Sequence, residues 1–466
     1  GLLMASWMAE TLPALVPKIN APVALGFNVN GRVLIFTMLT CIAAAVLSGL
    51  VPAFFWFRAD VSETLKAGGR GGSHGTQSHR TRNLLVISEV TLATLALIGA
   101  GLFVRSFQSA RGIQQGFDQR NVLLARFYLS GVGYSAADLQ QFCARLRTNL
   151  SGLAGIDSVS YADYAPLGSD AGPYDEVDVV GYTPARGESM NVNRYQVSPG
   201  YFDQMRIGLL EGRDFRIDDD PVKAPVVVVN QTFVRKYFGG GVALGRKVKI
   251  GTANATVIAV ARDTKYFDVA EAPRPHFYTP FQPQGSARQA YFFIRTTGQP
   301  AALTAGLRRE VSAVDARATS FDLMELEAWT GITLLPQKAA ANLAAGLGLI
   351  SLIIAAIGLY SVMAYAVTQR TREIGIRMAL GAQPRDVLGG ILRQGMGLTA
   401  IGLAAGVGAS LLVTRLIQGM LVHVSATDPV TFAGGALFLL LVAALACYLP
   451  ARRATKVDPM VALRCE

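Results

Sequence analysis

Thr368–Leu392 reads TQRTREIGIRMALGAQPRDVLGGIL. The stretch is short, rich in arginine, and lies between two long apolar runs, so it reads as the polar elbow of a membrane hairpin. Glu373 and Arg377 stand four residues apart in the order that supports a helix. Gly381 is placed to end that helix, and Pro384 to start the next. A short helix set on the cytoplasmic face between two spans can be pushed by a soluble partner. A plainer reading makes it an interfacial loop whose arginines meet anionic lipid.

Outward from the elbow, the chain is built for a bilayer. Its 466 residues are 51% hydrophobic and only 16% charged, with a mean hydropathy of +0.35. That balance points to several spans plus a soluble portion. A bilayer core takes roughly 20 apolar residues in helix. The runs Val33–Phe57, Leu84–Val104, Asn342–Val367 and Thr431–Leu449 reach that length, and the Gly-rich run Val387–Val422 exceeds it. Gly1–Pro17 reads as the cut end of a further span broken by Pro13 and Pro17. The chain starts inside an apolar run, and is read as a piece of a longer protein rather than as carrying a signal peptide.

Charge sets the orientation. The net charge is +11, and the excess gathers in short segments beside apolar runs. Arg58, Lys66, Arg70, Arg80 and Arg82 fill one loop, and Arg370, Arg372, Arg377, Arg385 and Arg393 the elbow. Arg452, Arg453, Lys456 and Arg464 close the chain, whereas the loop His423–Pro429 has no Lys or Arg. By the positive-inside rule the basic segments are cytoplasmic and His423–Pro429 is outside. Ser106–Lys338 is then outside as well. Its charges nearly balance, which argues against a nucleic-acid groove.

The outer stretch reads as α+β. Leu139, Phe142, Leu146 and Leu150 mark one face of a helix. APVVVVNQTFVRKYF from Ala224 reads as a strand followed by a helix, KVKIG and ATVIAVARDT as strands of a meander, and QAYFFIRTT as a strand before a further helix. No catalytic constellation emerges. His276 is the outer stretch's single histidine, so a Ser-His-Asp triad or a His-rich metal site is not expected there. DDDP at Asp218–Pro221 reads as a solvated turn, and GGVALGRK from Gly240 lacks the ending of a phosphate loop. Cys41, Cys143, Cys447 and Cys465 have no metal or disulfide spacing. His74 and His79 fall in a Gly-rich segment read as flexible linker.

Two features lie inside the spans. Gly402 and Gly406 form a GxxxG for close helix packing, with Gly395, Gly397 and Gly408 extending the small face. Glu89, an intramembrane carboxylate, reads as a shallow residue paired with a nearby arginine or reaching interfacial water.

REIGIRMALGA resembles the cytoplasmic motif of the FtsX-like ABC permeases, the group that includes the MacB-type exporters and lipoprotein-release permeases. The tail PARRATKVDPMVALR resembles that family's C-terminal motif, and VSPGYFDQMRIGLLEGRDF and VVNQTFVRKYFGGGVALGRKV resemble the MacB-type periplasmic domain. The tail occurs twice. VPAFFWFRADVSETLK at Val51–Lys66 overlays it, Pro52 on Pro450, Asp60 on Asp458 and Leu65 on Leu463, with Phe54 and Phe55 where the second copy has Arg452 and Arg453. The resemblance therefore implies a tandem-duplicated permease cut at its N-terminus. Residues 1–82 end a first membrane unit. Residues 83–105 are the first span of a second unit, 106–338 its outer domain, and 339–466 its three further spans and tail.

The same resemblance implies a function. A separate ABC ATPase, binding ATP and Mg, docks under the elbow in the bacterial inner membrane and moves it, and the spans pass the motion to the outer domain for export or release of a substrate. The permease itself is no enzyme and carries no cofactor. The implied coupling residues are Arg370, Arg372, Glu373, Ile374, Gly375, Arg377, Gly381 and Ala382. The implied tail motif is Pro450, Ala451, Arg452, Arg453, Asp458, Pro459, Leu463 and Arg464. The bilayer is a partner, periplasmic adaptor or efflux components fit as further ones, and nucleic acid does not. Two other classes compete: a membrane regulator that passes the motion to an extracytoplasmic hydrolase, and an anchored outer-domain enzyme, which the scarcity of histidine disfavours.

Overall fold

The computed structural model describes residues 31–57, 74–168, 172–283, 289–380 and 383–455. The chain divides into two compact units, Gly1–Asn83 and Leu84–Glu466. In the first, helix α1 spans Gly31–Phe57. It takes in the run Val33–Phe57 expected as a span; the side chains of residues 44 and 47–57 lie outside the described residues. Residues 58–73, with the first tail copy's Asp60 and Leu65 and the start of the expected linker, lie outside them too.

The second unit joins a membrane bundle to an outer domain. The bundle is α2 (His74–Arg111), α8 (Leu335–Gln369), α10 (Pro384–Leu416) and α11 (Pro429–Ala454), with the short α9 (Thr371–Ala379) between α8 and α10. Four described helices are long and apolar enough to cross a membrane, and they lie in α2, α8, α10 and α11. Two boundaries differ from the sequence reading. α2 begins at His74, so the His74–Arg82 segment expected as linker is helical; Gly75 alone does not stop a helix propagating from the span. α2 also continues to Arg111, and α8 starts at Leu335 with a proline in its first turn. Both helices therefore project beyond the bilayer core into the outer domain.

The outer domain holds strands β1 (Val122–Tyr128), β2 (Ile156–Ala162), β3 (Tyr174–Val179), β4 (Asn191–Val197), β5 (Leu209–Gly212), β6 (Val226–Asn230), β7 (Lys247–Ile250), β8 (Ala253–Ala261), β9 (His276–Pro280), β10 (Gln289–Thr296) and β11 (Phe321–Glu325). Its helices are α3 (Ala136–Ser151), α4 (Tyr201–Gln204), α5 (Gln231–Tyr237), α6 (Thr304–Val314) and α7 (Leu326–Gly331). The strands run in the order β11-β1-β10-β2-β4-β3-β7-β8-β6-β9, with β5 on β8. β9 also pairs with β4 in parallel, so β4, β3, β7, β8, β6 and β9 close a hydrogen-bonded ring.

Alternation along β1 shows how the layers form. Leu123, Ala125 and Phe127 face α3 and α6, burying Leu139, Phe142, Leu146 and Leu150 as the helical spacing predicts, with Leu307 and Val311. Val122 and Leu124 face an aromatic core of Tyr164, Tyr195, Tyr201, Tyr266, Tyr278 and Phe293. α3 is set by a capping box, with the Asp138 N–H on Ser135 Oγ at 3.1 Å and the Ser135 N–H on Asp138 Oδ2 at 2.9 Å. β1 and β11 are antiparallel neighbours, Leu123 opposite Glu325. The chain thus comes in from α2 and goes out toward α8 side by side.

Candidate functional site

The elbow is made by two breaks. Arg370 leaves helical geometry at φ −103°, ψ 11°, ending α8 and opening α9. Beyond α9, Pro384 stands in the first turn of α10, where its missing N–H costs nothing, and Gln383 and Asp386 form a capping box. Ile374 and Gly375 are buried, whereas Ile376 and Arg377 are exposed and Leu380 is 83% exposed. α9 and its C-cap therefore leave two apolar side chains, Ile376 and Leu380, uncovered by the rest of the chain. Arg370 Nη1 donates to Gln394 Oε1 of α10 at 3.4 Å. The side chains of Arg372 and Glu373, and residues Gly381 and Ala382, lie outside the described residues.

The tail continues α11 through Pro450 to Ala454. Pro450 and Ala451 are buried, Arg452 is exposed, and Arg453 Nη1 donates to the Tyr360 hydroxyl of α8 at 3.0 Å. Asp458, Pro459, Leu463 and Arg464 lie outside the described residues. The structure therefore brings the start of the tail motif onto α8, the helix that leads into the elbow.

α2 touches α8, α10 and α11, and glycines bring these neighbours close. A Cβ on Gly402 would stand 2.7 Å from Val90 and 3.0 Å from the Ile87 carbonyl; one on Gly406 would stand 2.9 Å from the Thr91 carbonyl. Thr91 Oγ1 donates across this contact to the Gly402 carbonyl at 3.1 Å. Gly395 faces Cys447 and Met363 instead, and Gly397 and Gly408 face open space. The expected five-glycine face is thus shorter than read, because steps of about 100° per residue carry 397 and 408 off the side that holds 395, 402 and 406. Sequence reasoning missed Gly348, which lets α8 onto Ala96 and Ala100, and Gly358, which faces the Glu89 carboxyl. Small residues recur along α8, and their spacing was the available signal.

Glu89, expected to pair with an arginine or to reach interfacial water, lies against Gly358 of α8. Its Oε2 is buried and without a hydrogen-bond partner among the described residues.

Where α2 becomes the outer domain, Arg295 pins the connection. Buried to 5% exposure, it donates to the carbonyls of Asp118, Arg120 and Gln204, each at 2.9 Å. Asp118 also receives Arg206 Nη1 at 2.8 Å. Arg120 foremost among its hydrogen-bonding partners, acting against burial, holds the Asp118 carboxyl below its usual range. The Thr330 hydroxyl, on the way to α8, donates to the Gln119 side chain, and Trp329 Nε1 donates to the Pro166 carbonyl at 3.0 Å. These residues hold both connections to the membrane against one domain.

The outer histidine is structural. His276 is 1% exposed, lies 3.2 Å from both Asn230 Nδ2 and Thr264 Oγ1 and 3.1 Å from the Tyr278 hydroxyl. Burial lowers its pKa to about 4, so it is a neutral hydrogen-bonding group at neutral pH. In the acidic turn, Asp219 pairs with Arg213 at 2.7 Å and Asp220 accepts the Val222 N–H at 2.8 Å. Among the described residues no group of three or more His, Cys, Asp or Glu stands where it could hold a metal ion.

Comparison with known proteins bears on the same two regions. The family of the FtsX-like permease C-terminal matches residues 345–459, and that of the MacB-like periplasmic core domain matches residues 84–319. The chain is 31% identical over 284 residues to the macrolide export ATP-binding/permease protein MacB of Chromobacterium violaceum, covering 60% of this chain and 44% of that protein. It is 28% identical over 283 residues to the uncharacterized ABC transporter permease YknZ of Bacillus subtilis, covering 58% of this chain and 69% of that one. The periplasmic region of MacB from Actinobacillus actinomycetemcomitans aligns with 48% of this chain and 94% of its own at 17% identity and a TM-score of 0.33. The chain spans about half the length of the first MacB relatives it matches.

Proposed function

Because the chain belongs to the FtsX-like permeases that carry a MacB-like periplasmic core domain, we propose that it is the membrane subunit of an ABC transporter in a bacterial inner membrane. A separate ATPase, holding ATP and Mg, docks on the elbow from the cytoplasm. Its nucleotide cycle moves α9. The bundle passes the motion to the outer domain, which expels or releases a substrate. The observation that supports this reading most is the amphipathic α9 itself: a helix set between two spans, with Ile376 and Leu380 exposed, has an apolar face for a partner to cover.

The permease supplies no chemistry in this scheme. Its work is mechanical, and the residues that carry it are those that keep the elbow, the bundle and the outer domain in contact. The test is reconstitution of the full-length permease with its ATPase, measuring ATP turnover and recovery of the complex. Leu380→Asp, at an exposed position, should insert normally and lose both partner recovery and stimulated turnover. Wild-type turnover and recovery in that variant would remove the elbow from the ATPase interface and favour the lipid-facing alternative.

A further inference from the structure

Fasteners in the bundle are unevenly placed. At the outer face, Arg105 of α2 pairs with the Asp428 carboxylate. Asp428 also caps α11, accepting the Thr431 N–H at 2.9 Å and the Thr431 hydroxyl at 2.6 Å. One residue further along α2, the buried Ser106 hydroxyl accepts the Val422 N–H at 2.8 Å. Gly101 leaves room for the Thr431 methyl, which would stand 2.7 Å from a Cβ placed there. The loop between α10 and α11 and the start of α11 are therefore strapped to α2 where it leaves the membrane.

α8 is fastened at the other end. Its cytoplasmic half bonds α11 through Arg453–Tyr360, and Arg370 at its C-terminus bonds α10 through Gln394. In its outer half α8 meets α2 through Gly348 on Ala96 and Ala100. Among the described residues no side chain of 335–358 hydrogen-bonds to α2, and Gln337 Oε1 is buried without a partner. A glycine–alanine contact carries no directional bond to break, whereas an ion pair that also caps a helix must be broken to move.

We infer that Arg105 is a positioning residue: with Asp428 and the Ser106–Val422 bond it fixes the outer end of α2 to α11, so that α2 is the stationary post and motion from the elbow reaches the outer domain through α8. The inference rests on the proposed coupling to an ATPase. Among the described residues α8 is bonded to α11 and α10 only in its cytoplasmic half, so its outer half shifts beside the fixed end of α2 and tilts the outer domain, which is attached to both helices side by side.

The test uses the full-length protein with its four native cysteines replaced by alanine, reconstituted with its ATPase. Outer-domain movement is read as an ATP-dependent change in the distance between spin labels at Val180 and Thr427. A cysteine bridge between α2 and α11, Ile98→Cys with Gly435→Cys, should leave the movement intact on oxidation. A bridge between α2 and α8, Ala100→Cys with Gly348→Cys, should abolish it, and reduction should restore it. Arg105→Gln should lose most of the change, and Arg105→Lys should recover it. If the α2–α11 bridge stops the movement, or the α2–α8 bridge leaves it unaffected, the assignment of post and slider is wrong. A wild-type protein that shows no ATP-dependent change overturns the coupling reading, and this inference with it.

Discussion

The outer domain and the membrane bundle are held together by opposite means. The domain buries six tyrosines with Phe293 and Trp329 in one core and threads it with directional bonds, such as the three carbonyls on Arg295 and the groups around His276. The bundle places Gly348, Gly402 and Gly406 against backbone and small side chains. Dense directional bonds give a body that travels whole; close backbone contacts with few directional bonds, such as Gly348 on Ala96 and Ala100, leave helices freer to shift. The comparison teaches where motion is allowed, and it predicts which substitutions hurt most.

The largest loss should come from Arg295→Ala in the outer domain. Removing it takes the charged donor from the carbonyls of Asp118, Arg120 and Gln204 at once, a cost of about 3–5 kcal/mol. Pulse proteolysis of the full-length protein in membranes, scored on outer-domain fragments, measures it. A loss below that of a surface arginine such as Arg216→Ala would show that the connection is not pinned there.

Acid should act next, on the domain's buried groups. His276 has its folded pKa lowered to about 4 from an ordinary value near 6.5. Its contribution is therefore complete above pH 6.5 and is lost as the pH falls toward 4, up to about 3 kcal/mol. Asp163 works in the other sense: burial raises it to about 6, so its contribution is greatest at low pH and is lost as the pH rises through 6. Comparing wild type with His276→Gln between pH 7 and pH 4.5 isolates the histidine. The variant should be less stable at pH 7 and show a shallower acid slope.

In the bundle, Gly406→Val should cost about 1–3 kcal/mol through overpacking on α2. Gly408→Ala, where nothing lies within 4 Å, should be neutral or gain up to about 1 kcal/mol from helix propensity. Thermal unfolding in detergent ranks the two, and equal effects would mean that the glycine contact is not what holds α2.

How much of this was legible in the sequence follows the same division. The spans, the elbow and the helical face of Leu139, Phe142, Leu146 and Leu150 were readable, because apolar length and period are local signals. β6, β7, β8 and β10 were readable as apolar runs between turns. The closing of β4 onto β9 was not, since Asn193 and His276 meet across most of the domain and neither strand carries a mark of its partner. The glycine face was overread at Gly397 and Gly408 and underread at Gly348 and Gly358, because composition gives the number of small residues and only the neighbours give their direction. Asp428 before Pro429 is a visible helix start, but nothing in sequence ties it to Arg105.

The central claim is that the elbow drives the outer domain. Its most direct test is the distance between spin labels at Val180 and Thr427, measured in the full-length permease reconstituted with its ATPase, before and after ATP. Wild type should show an ATP-dependent change. Glu373→Lys should insert normally and show none, since it costs the α9 helix only about 0.2–0.5 kcal/mol while reversing the charge presented to the proposed partner, a change that can cost several kcal/mol across an interface. An unchanged distance in wild type, or the same change in Glu373→Lys, would contradict the account.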